Sequence, residues 1–525
     1  MDPREHQDVI VIGSGPAGGT MAAELAATGA KVLLLERGDW LPRERENWES
    51  EEVFGKARYG AVETFYDRVD QPFHPGMHYF VGGNSKVYGA ALFRLTPADF
   101  GEITHHGGIS PAWPIGYDDL EPYYVRAEHM YKVHGKHGED PFAGAASQDY
   151  KYPPVQHAAR IKELADGLAD QGLHPFHLPI GVDLIQDEDG RPTHDSPCIR
   201  CDRVDGFPCL VGAKSDSETI AVRPALAAHP NLQLLTRATV RQLVTNESGG
   251  SVTGVVSEMP DGSMQTFTAD IVVLCAGSIL SSALLLASAN DKHPRGLANS
   301  SDVVGRHYMR HNNVALMALS KDPNPTRFQK TLALNDFYGP SKHWDYPMGN
   351  IQMLGKSDDW QVKGEAPKML KWGPDFGYAI AASHSLDFWL AGEDLPLPES
   401  RVSLRRDGSV KLALTPHNNT EGVKRLRACF DGMLNDLGMV SKSFARGLYL
   451  HKDMDVSATA HQAGTVRFGT DPTTSALDVD CKAHDLDNLY VVDGSFMPSI
   501  GAVNPTLTII ANAIRVAERI AVRLQ

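Results

Sequence analysis

The segment from residue 8 to residue 36 constrains the fold of this chain more than any other. Its first five residues, Asp-Val-Ile-Val-Ile, form a β-branched run that is typical of a strand buried on both faces. A glycine-rich turn and an alanine-rich stretch to about Thr28 follow, and Gly29 is suited to end a helix there. Residues 31–36 (KVLLLE) form a second apolar run. The segment therefore predicts a right-handed βαβ unit with two parallel strands.

The glycine-rich turn has the spacing of a dinucleotide-binding fingerprint. Gly13, Gly15 and Gly18 stand in the pattern GxGxxG, and Glu36 ends the second apolar run. The first glycine permits the tight turn, the second lets the backbone approach a pyrophosphate, and the third lets the helix pack on the strand. The helix N-terminus would stabilise the phosphate charge, and the Glu36 carboxylate would accept ribose hydroxyls. A glycine turn without a ligand is the alternative.

Composition and charge exclude several classes of protein. The 525 residues include 50 lysines and arginines and 65 acidic residues, which gives a net charge of −15. Such a chain has no general attraction for nucleic acid or for anionic lipid. The sequence has no apolar run of about 18 residues, so no membrane span is predicted. The N-terminus has no signal-peptide pattern and six cysteines are too few for a secreted disulfide framework, so we expect a cytoplasmic protein.

The rest of the chain alternates strand-like and helix-like segments. Residues 232–275 contain strand-like runs, two of them separated by an Asp261-Gly262 turn, and residues 314–405 contain more. Helices are predicted at 114–128 with Asp118 or Asp119 as the N-cap, at 156–172, 278–288 and 419–437, and from Pro505 onward. The expected fold class is α/β plus α+β, with a Rossmann-type nucleotide-binding domain interrupted by a second domain built on an antiparallel sheet with helices.

The C-terminal segment favours FAD over NAD as the dinucleotide. Residues 488–495 predict a strand and a sharp turn in which Asp493 can bond the ribityl or phosphate part of a long cofactor. Asn504 and Pro505 then open the last helix, where proline is a favoured first residue. The free N–H groups of that helix end would stabilise the negative charge of a reduced flavin. An NAD domain has no need of this element.

Further motifs occur in a fixed order, and with them the sequence resembles the glucose-methanol-choline (GMC) oxidoreductases over most of its length. Besides the fingerprint, the motifs are Gly82-Gly83-Asn84-Ser85, Trp113 to Tyr124 (WPIGYDDLEPYY), Val272 to Ser278 (VVLCAGS), Val304-Gly305-Arg306, Asp493-Gly494 and Asn504-Pro505-Thr506. The resemblance implies a flavin enzyme that oxidises an alcohol. It implies FAD contacts at Gly82, Gly83, Asn84, Ser85, Val240, Ala276, Gly277, Asp493, Gly494, Pro505 and Thr506.

Two positions depart from the family pattern in the second glycine-rich turn. Tyr88 replaces the usual asparagine, so flavin contacts there are expected to differ. Val87 stands where fungal pyranose 2-oxidases carry the histidine that bonds covalently to FAD, so non-covalent FAD is expected. The family layout implies a discontinuous FAD-binding domain over residues 1–100, 200–312 and 450–525, and a substrate-binding domain with connecting loops over 101–199 and 313–449.

The chain has 22 histidines, and His461 is singled out by its context. It lies in the segment ATAHQAGT, upstream of Asn504. In the family, this histidine and a histidine or asparagine near the last helix face the flavin, which implies the catalytic pair His461 and Asn504. A neutral imidazole suits a general base for the hydroxyl proton, and an amide donor can hold the alcohol oxygen. A hydrogen-bonded core histidine is the alternative.

Residues 328–380 are expected to supply much of the substrate pocket if the family layout holds. They contain many aromatic residues, among them Tyr346, with Asn350 and Gln352 between them. Aromatic faces and amides suit a sugar, which needs stacking surfaces and partners for its hydroxyls. Gln352 lies where pyranose oxidases hold a sugar hydroxyl. An ordinary sheet core would use the same residue types.

A group of possible metal ligands lies between residues 194 and 209. His194, Cys198, Cys201 and Cys209 include one Cys-x-x-Cys pair, which has ligand spacing. Because this segment contains only three cysteines, free thiols or one local disulfide are favoured over a zinc site, and no metal is predicted.

These features predict FAD-dependent oxidation of a secondary hydroxyl of a pyranose sugar or glycoside, with hydride transfer to flavin N5 and His461 as the base. The pyranose oxidase-like branch, which includes C-glycoside 3-oxidases, is the part of the family that the chain most resembles. It implies C3 of a glucosyl C- or O-glycoside and a 3-keto product. The alternatives are a pyranose 2-oxidase, another GMC dehydrogenase acting on a sugar acid, a sterol or choline, and a non-catalytic flavin-binding protein. The electron acceptor (O2, a quinone or another molecule) and the oligomeric state are open.

Overall fold

In the computed structural model, a five-stranded parallel sheet contains the N-terminal strand at its centre. The structure describes residues 3–342, 344–366, 374–416, 418–444 and 461–525. The central strand is fully buried from Val9 to Val11, as its β-branched composition predicts. The predicted βαβ unit is confirmed. In spatial order the strands are Leu232–Leu235, Val32–Leu35, Gln7–Ile12, Ala269–Leu274 and Leu489–Val491.

Three helices pack together beside this sheet. The helix Pro16–Ala27 packs against the last helix, Thr506–Arg523, which in turn packs against Tyr117–Met130. The buried hydroxyls of Tyr124 and Thr508 share a hydrogen bond of 2.7 Å across the second contact. The helix Tyr117–Met130 lies within residues 101–199, which the family layout assigns to the substrate-binding domain and connecting loops. The predicted domain limits stay a prediction.

A second, six-stranded sheet is antiparallel throughout. The helices Ala159–Asp170 and Thr420–Asp436 cover one face of it with leucine, isoleucine and phenylalanine side chains. Alternate residues point to the opposite face, where Ala315, Leu354 and Trp389 pack together. The strands, in spatial order, are Val440–Phe444, Asn312–Leu319, Ser385–Gly392, Asn350–Met353, Leu332–Leu334 and Phe176–His177.

Smaller elements complete the described chain. A three-stranded antiparallel sheet contains the predicted hairpin turn at Asp261-Gly262. Its strands are Thr239–Thr245, Val252–Glu258 and Met264–Phe267. A four-stranded sheet contains Arg401–Leu404, Val410–Ala413, Phe65–Tyr66 and Pro72–Phe73. Two further sheets have two strands each: Ile103–His105 with Gly108–Ser110, and Val133–His134 with Ile180–Gly181. The remaining longer helices are Arg223–Ala228, Ser278–Ala287, Asp359–Glu365 and Asp375–His384.

The predicted helices are present, but one predicted cap is wrong. The helix expected to start at Asp118 or Asp119 begins at Tyr117, with Gly116 as the N-cap. The Asp119 carboxylate lies in the first turn and accepts a hydrogen bond from the backbone N–H of Gly116 at 2.8 Å. It therefore satisfies a free donor from inside the helix. Pro505 directly precedes the last helix.

Two features are absent from the part of the chain that the structure describes. None of the described helices has the length and apolar character needed to cross a membrane. Within the same residues, no group of three or more histidine, cysteine or acidic side chains could hold a metal ion. All six cysteines are free thiols.

Candidate active site

A cavity of about 980 Å³ lies at the carboxyl ends of the parallel strands, where ligands bind in open α/β sheets. It reaches from Glu36 and Val240 at one end to His461 and Asn504 at the other. The other residues of the expected FAD contacts that line it are Gly13, Gly15, Gly83, Asn84, Ser85, Ala276, Gly277, Asp493, Gly494, Pro505 and Thr506. Gly18 and Gly82 do not line the cavity, and a Cβ built on Gly82 would lie 2.8 Å from the Lys86 side chain.

The first glycine-rich turn is shaped to admit a phosphate. A Cβ built on Gly18 would lie 1.8 Å from the carbonyl oxygen of Gly13, so no side chain fits there. A Cβ built on Gly15 meets nothing within 4 Å, because that residue borders the cavity. Gly15 is also the N-cap of the first helix, and no side chain caps it. The free N–H groups and the dipole of this helix end are therefore available to an anion.

Glu36 ties the first turn to the second strand. One carboxylate oxygen accepts hydrogen bonds from the backbone N–H and the hydroxyl of Ser14 at 3.0 and 2.6 Å. The other oxygen accepts the backbone N–H of Gly38 at 2.7 Å. A carboxylate oxygen can accept two hydrogen bonds, so the second oxygen retains capacity toward the cavity. The contact of Glu36 with a ribose stays a prediction.

The second glycine-rich turn is held by charged groups behind it. Lys86 forms ion pairs with Asp216 at 3.0 Å and with Glu218 at 2.7 Å. The hydroxyl of Ser85 donates to the carbonyl of Gly82 at 2.6 Å. These contacts hold the turn with its Gly83 to Ser85 segment along the cavity wall.

Asp493 joins the turns that follow the strands Ala269–Leu274 and Leu489–Val491. Its carboxylate accepts hydrogen bonds from the backbone N–H groups of Gly277 and Ser495, both at 2.9 Å, and from the hydroxyls of Ser281 and Ser495. Four protein donors occupy this buried carboxylate. It therefore shapes the turns that border the cavity, and a direct bond from Asp493 to a cofactor stays a prediction.

The predicted catalytic pair meets at the opposite end of the cavity. The side-chain amide of Asn504 donates from Nδ2 to Nε2 of His461 at 3.1 Å. Gln352 donates from Nε2 to Oδ1 of Asn504 at 2.8 Å. On the other side of the ring, Nδ1 of His461 lies 2.8 Å from Nδ1 of His311. All four residues come from different segments of the chain.

The backbone determines which nitrogen of each ring carries a proton. Nε2 of His311 lies 3.0 Å from the carbonyl oxygen of Gly501, which is only an acceptor. Nε2 of His311 is therefore the donor, and Nδ1 of that neutral ring is an acceptor. His461 must then donate from Nδ1, which leaves a lone pair on Nε2. A general base needs an unprotonated nitrogen toward its substrate, and in this tautomer that nitrogen is Nε2, which faces Asn504.

Both rings are neutral at physiological pH. Burial, with smaller contributions from His311 and Lys330, holds the pKa of His461 well below its ordinary value of 6.5. Burial lowers the pKa of His311 to about 4. His461 therefore has its lone pair available throughout the neutral range.

A buried ion pair lies beside the catalytic pair. The ammonium of Lys330 binds the Asp205 carboxylate, whose second oxygen accepts the backbone N–H of Gly355 at 2.6 Å. Lys330 is 2% exposed, and both residues line the cavity. The carboxylate compensates the ammonium, so this pair adds no net charge to the site.

The structure separates the three predicted substrate residues. Gln352 lines the cavity, whereas Asn350 is fully buried behind it and binds Gln352 and Asn335. Tyr346 is not a lining residue and packs against His106 and Trp344. Several residues that line this end or support His461 were not predicted, because their types are common and only the fold brings them together. They are His311, Asn313, Lys330, Trp389 and Asp205.

Comparisons with known proteins identify the family of this chain. Two family models described as GMC oxidoreductase match residues 181–313 and 399–513. A third, described as lycopene cyclase protein, matches residues 8–67, the segment with the dinucleotide fingerprint. Among solved structures, pyridoxine 4-oxidase from Mesorbium loti has a TM-score of 0.66 at 19% identity and covers 98% of this chain and 99% of its own, which shows a shared fold.

Curated relatives extend over nearly the whole chain. The 6'''-hydroxyparomomycin C oxidase of Streptomyces lividus is 30% identical over 98% of this chain and 92% of its own length. Paromamine 6'-oxidase of Streptomyces fradiae is 29% identical over 98% of this chain and 91% of its own. The family resemblance inferred from the motifs is confirmed. The chain belongs to the GMC oxidoreductase family and is an FAD-dependent oxidoreductase that acts on CH–OH groups.

Proposed function

We propose that this enzyme oxidises a secondary hydroxyl of a pyranose sugar or glycoside, with C3 of a glucosyl C- or O-glycoside as the preferred position and a 3-keto product. One observation carries the oxidation of an alcohol, while the sugar and its C3 position follow from the motif resemblance: the unprotonated Nε2 of His461 and the amide of Asn504 meet at the end of the same cavity that the dinucleotide turns border. A base and an amide donor at that position suit an alcohol whose oxygen binds between them.

The residues at the cavity walls fit FAD. The uncapped ends of the helices Pro16–Ala27 and Thr506–Arg523 both open on the cavity, and Gly15 leaves space for a pyrophosphate. When bound, FAD supplies the two-electron oxidant for the alcohol C–H bond. Non-covalent binding, inferred from Val87, is part of the proposal. The residues that would hold the cofactor are Gly13, Gly15, Glu36, Gly83, Asn84, Ser85, Val240, Ala276, Gly277, Gly494, Pro505 and Thr506.

The protein's own part in the reaction is to hold the alcohol and remove its proton. The hydroxyl enters between Asn504 and His461 and replaces their direct hydrogen bond. Asn504 donates from Nδ2 to the alcohol oxygen, and Nε2 of His461 accepts the hydroxyl proton. The resulting imidazolium keeps its Nδ1–H bond to His311. Loss of the proton makes the carbinol carbon a better hydride donor.

The charge at the catalytic end supports an uncharged sugar. The carboxylates among the described lining residues are Glu36, Glu63, Asp205 and Asp493. Each of them is engaged with protein donors: Glu63 with Arg37 and Tyr79, and Asp205 with Lys330. At the catalytic end, the described lining carboxylate is Asp205, and Lys330 compensates its charge, so the ammonium group of an amino sugar would be desolvated there without a counter-ion.

A second candidate substrate comes from the names of the relatives, which denote aminoglycosides and, in one case, a 6' position. Oxidation of a primary hydroxyl of an amino sugar would give an aldehyde. The chemistry at His461 would be the same, so the two candidates differ in substrate charge and in the position of the oxidised carbon.

The test is anaerobic reduction of the purified flavoprotein, followed by its visible absorbance. The panel contains glucose, other pyranoses, an aryl C-glucoside, an aryl O-glucoside, paromamine, cholesterol and choline. We expect uncharged glycosides to bleach the flavin and mass spectrometry with NMR to locate a ketone at C3. We expect His461→Ala to slow the reduction by at least about 100-fold. The matched control, His174→Ala, removes a histidine that binds Asp336 away from the lining residues and is expected to leave the rate unchanged.

The outcomes separate the candidates. Bleaching by paromamine alone would overturn the uncharged substrate in favour of the second candidate. Bleaching by cholesterol or choline alone would overturn the sugar. Reoxidation rates with O2 and with a quinone, measured on the reduced enzyme, identify the acceptor.

A further inference from the structure

A chain of buried side-chain hydrogen bonds leads from Asp140 to the catalytic pair. Asn335 donates from Nδ2 to Oδ2 of Asp140 at 2.7 Å, and Asn350 donates from Nδ2 to Oδ1 of Asn335 at 2.8 Å. Gln352 donates from Nε2 to Oδ1 of Asn350 at 3.1 Å and to Oδ1 of Asn504 at 2.8 Å. Asn335, Asn350 and Gln352 are at most 2% exposed.

The carboxylate at the start of this chain determines the direction of every bond in it. An ionised carboxylate only accepts hydrogen bonds, so Asn335 must present its NH2 group to Asp140. The oxygen of Asn335 then faces Asn350, which must also donate. By the same reasoning the oxygen of Asn350 faces Gln352. Both hydrogens of the Gln352 amide are thereby used, one on Asn350 and one on Asn504.

The last step sets the orientation of Asn504. Because Gln352 presents a donor, Asn504 must turn its oxygen toward Gln352 and its NH2 group toward His461. The carbonyl of Gly501 independently sets the opposite side, through His311, so that His461 presents an acceptor at Nε2. The Asp140 carboxylate at one end and the Gly501 carbonyl at the other can only accept hydrogen bonds. Together they require that Asn504 presents a donor and His461 an acceptor where the two side chains meet.

We propose that Asp140, Asn335, Asn350 and Gln352 are positioning residues that hold the Asn504 amide with its N–H groups toward the substrate oxygen. A rotated Asn504 amide would place its oxygen against the lone pair of His461 and against the alcohol oxygen. Since Asp140 and Asn335 are not lining residues of the cavity, they act only through this chain. The proposal rests on the proposed function of His461 and Asn504.

The decisive comparison is between two substitutions of Gln352. Gln352→Glu keeps the shape but replaces the donor with an acceptor-only group, and therefore turns the Asn504 amide the wrong way. Gln352→Met removes the donor and imposes no orientation. We expect kcat for alcohol oxidation to fall about 100-fold or more in Gln352→Glu, because the Asn504 donor to the alcohol oxygen is then turned away. We expect a fall of about tenfold in Gln352→Met, where the Asn504 amide is free to adopt either orientation. A side chain that only fills space would give the reverse order.

Asp140, at the end of the hydrogen-bond chain farthest from the catalytic pair, gives a second test. Asp140→Asn replaces the acceptor-only group with one that can donate or accept, so both amide orientations become populated. We expect kcat to fall by roughly twofold to tenfold with KM unchanged, because only the fraction in the competent orientation reacts. Asp336→Asn, the matched control, alters a neighbouring carboxylate that binds His174, and is expected to keep the wild-type kcat.

The measurements are kcat and KM at the pH plateau, with flavin content and thermal midpoint recorded for each variant. The substrate is whichever alcohol reduces the wild-type flavin. If no alcohol reduces the wild type, the proposed function fails. If the wild type is active and Gln352→Glu retains as much kcat as Gln352→Met, the positioning proposal is overturned. An effect on KM alone in both variants would also overturn it and assign Gln352 to substrate binding.

Discussion

At the residue scale, the proposed chemistry depends on two neutral imidazoles in contact. His461 and His311 meet at 2.8 Å between their Nδ1 atoms, with the rings at 83° to each other. His461 was predicted because its local segment matches a family motif. His311 was not predicted, since nothing in its flanking sequence distinguishes it from the other histidines, and its role arises from contacts with His461 and Gly501 far along the chain.

The pH dependence of turnover follows from the environment of His461. The base works when it is unprotonated, so activity is lost as the pH falls through its pKa. Burial, with His311 and Lys330, holds that pKa well below 6.5. We therefore expect kcat to stay constant as the pH falls from 8 through 6.5 and to decline only at lower pH. Stopped-flow flavin reduction at saturating substrate measures this, and a decline centred at or above pH 6.5 would contradict it.

Within single elements, the glycine-rich turns combine two separate requirements. Gly18 is needed for packing, because a side chain there would overlap the carbonyl of Gly13. Gly15 is predicted to be needed for the ligand, because the space above it is open and its φ of −61° suits any residue. The spacing predicted both roles, since the geometry of a strand, a tight turn and a helix is local in sequence.

Alanine substitutions should separate these roles. We expect Gly15→Ala to leave the circular dichroism and the thermal midpoint of the apoprotein unchanged while weakening FAD binding at least tenfold, about 1.4 kcal/mol. We expect Gly18→Ala to lower the free energy of unfolding of the apoprotein by roughly 2 kcal/mol or more through overpacking. Titration of the apoproteins with FAD and denaturant unfolding measure the two effects. Equal FAD affinity in Gly15→Ala and wild type would refute the assignment of Gly15.

Across the whole molecule, the catalytic end of the cavity joins segments that are far apart in sequence. The Lys330–Asp205 pair connects the strand-rich region after residue 312 to the loop before residue 214, and the two side chains are 2% and 12% exposed. Burial of two charges is costly, so the pair is expected to matter mainly when one partner is removed.

A double-mutant cycle tests this contact. We expect Lys330→Met to lower the free energy of unfolding by about 3 kcal/mol or more, because Asp205 is left buried without its cation. The double variant Lys330→Met/Asp205→Asn should recover a large part of that loss. Lys162→Met, which removes an exposed partner of Asp166, is the matched control and should cost less than about 1 kcal/mol. A double variant no more stable than Lys330→Met would show that the charge is not the cause.

The sequence by itself determined the dinucleotide-binding unit and the family, and it predicted His461 and Asn504 as the catalytic pair. These depend on short motifs whose spacing follows from local backbone geometry. Only the tertiary structure decided how that pair is oriented. The contacts of His461 with His311 and of Asn504 with Gln352 join residues about 150 positions apart. Such contacts depend on which strands pair and in which register, and a one-residue shift of the strand Asn350–Met353 would turn Gln352 to the opposite face.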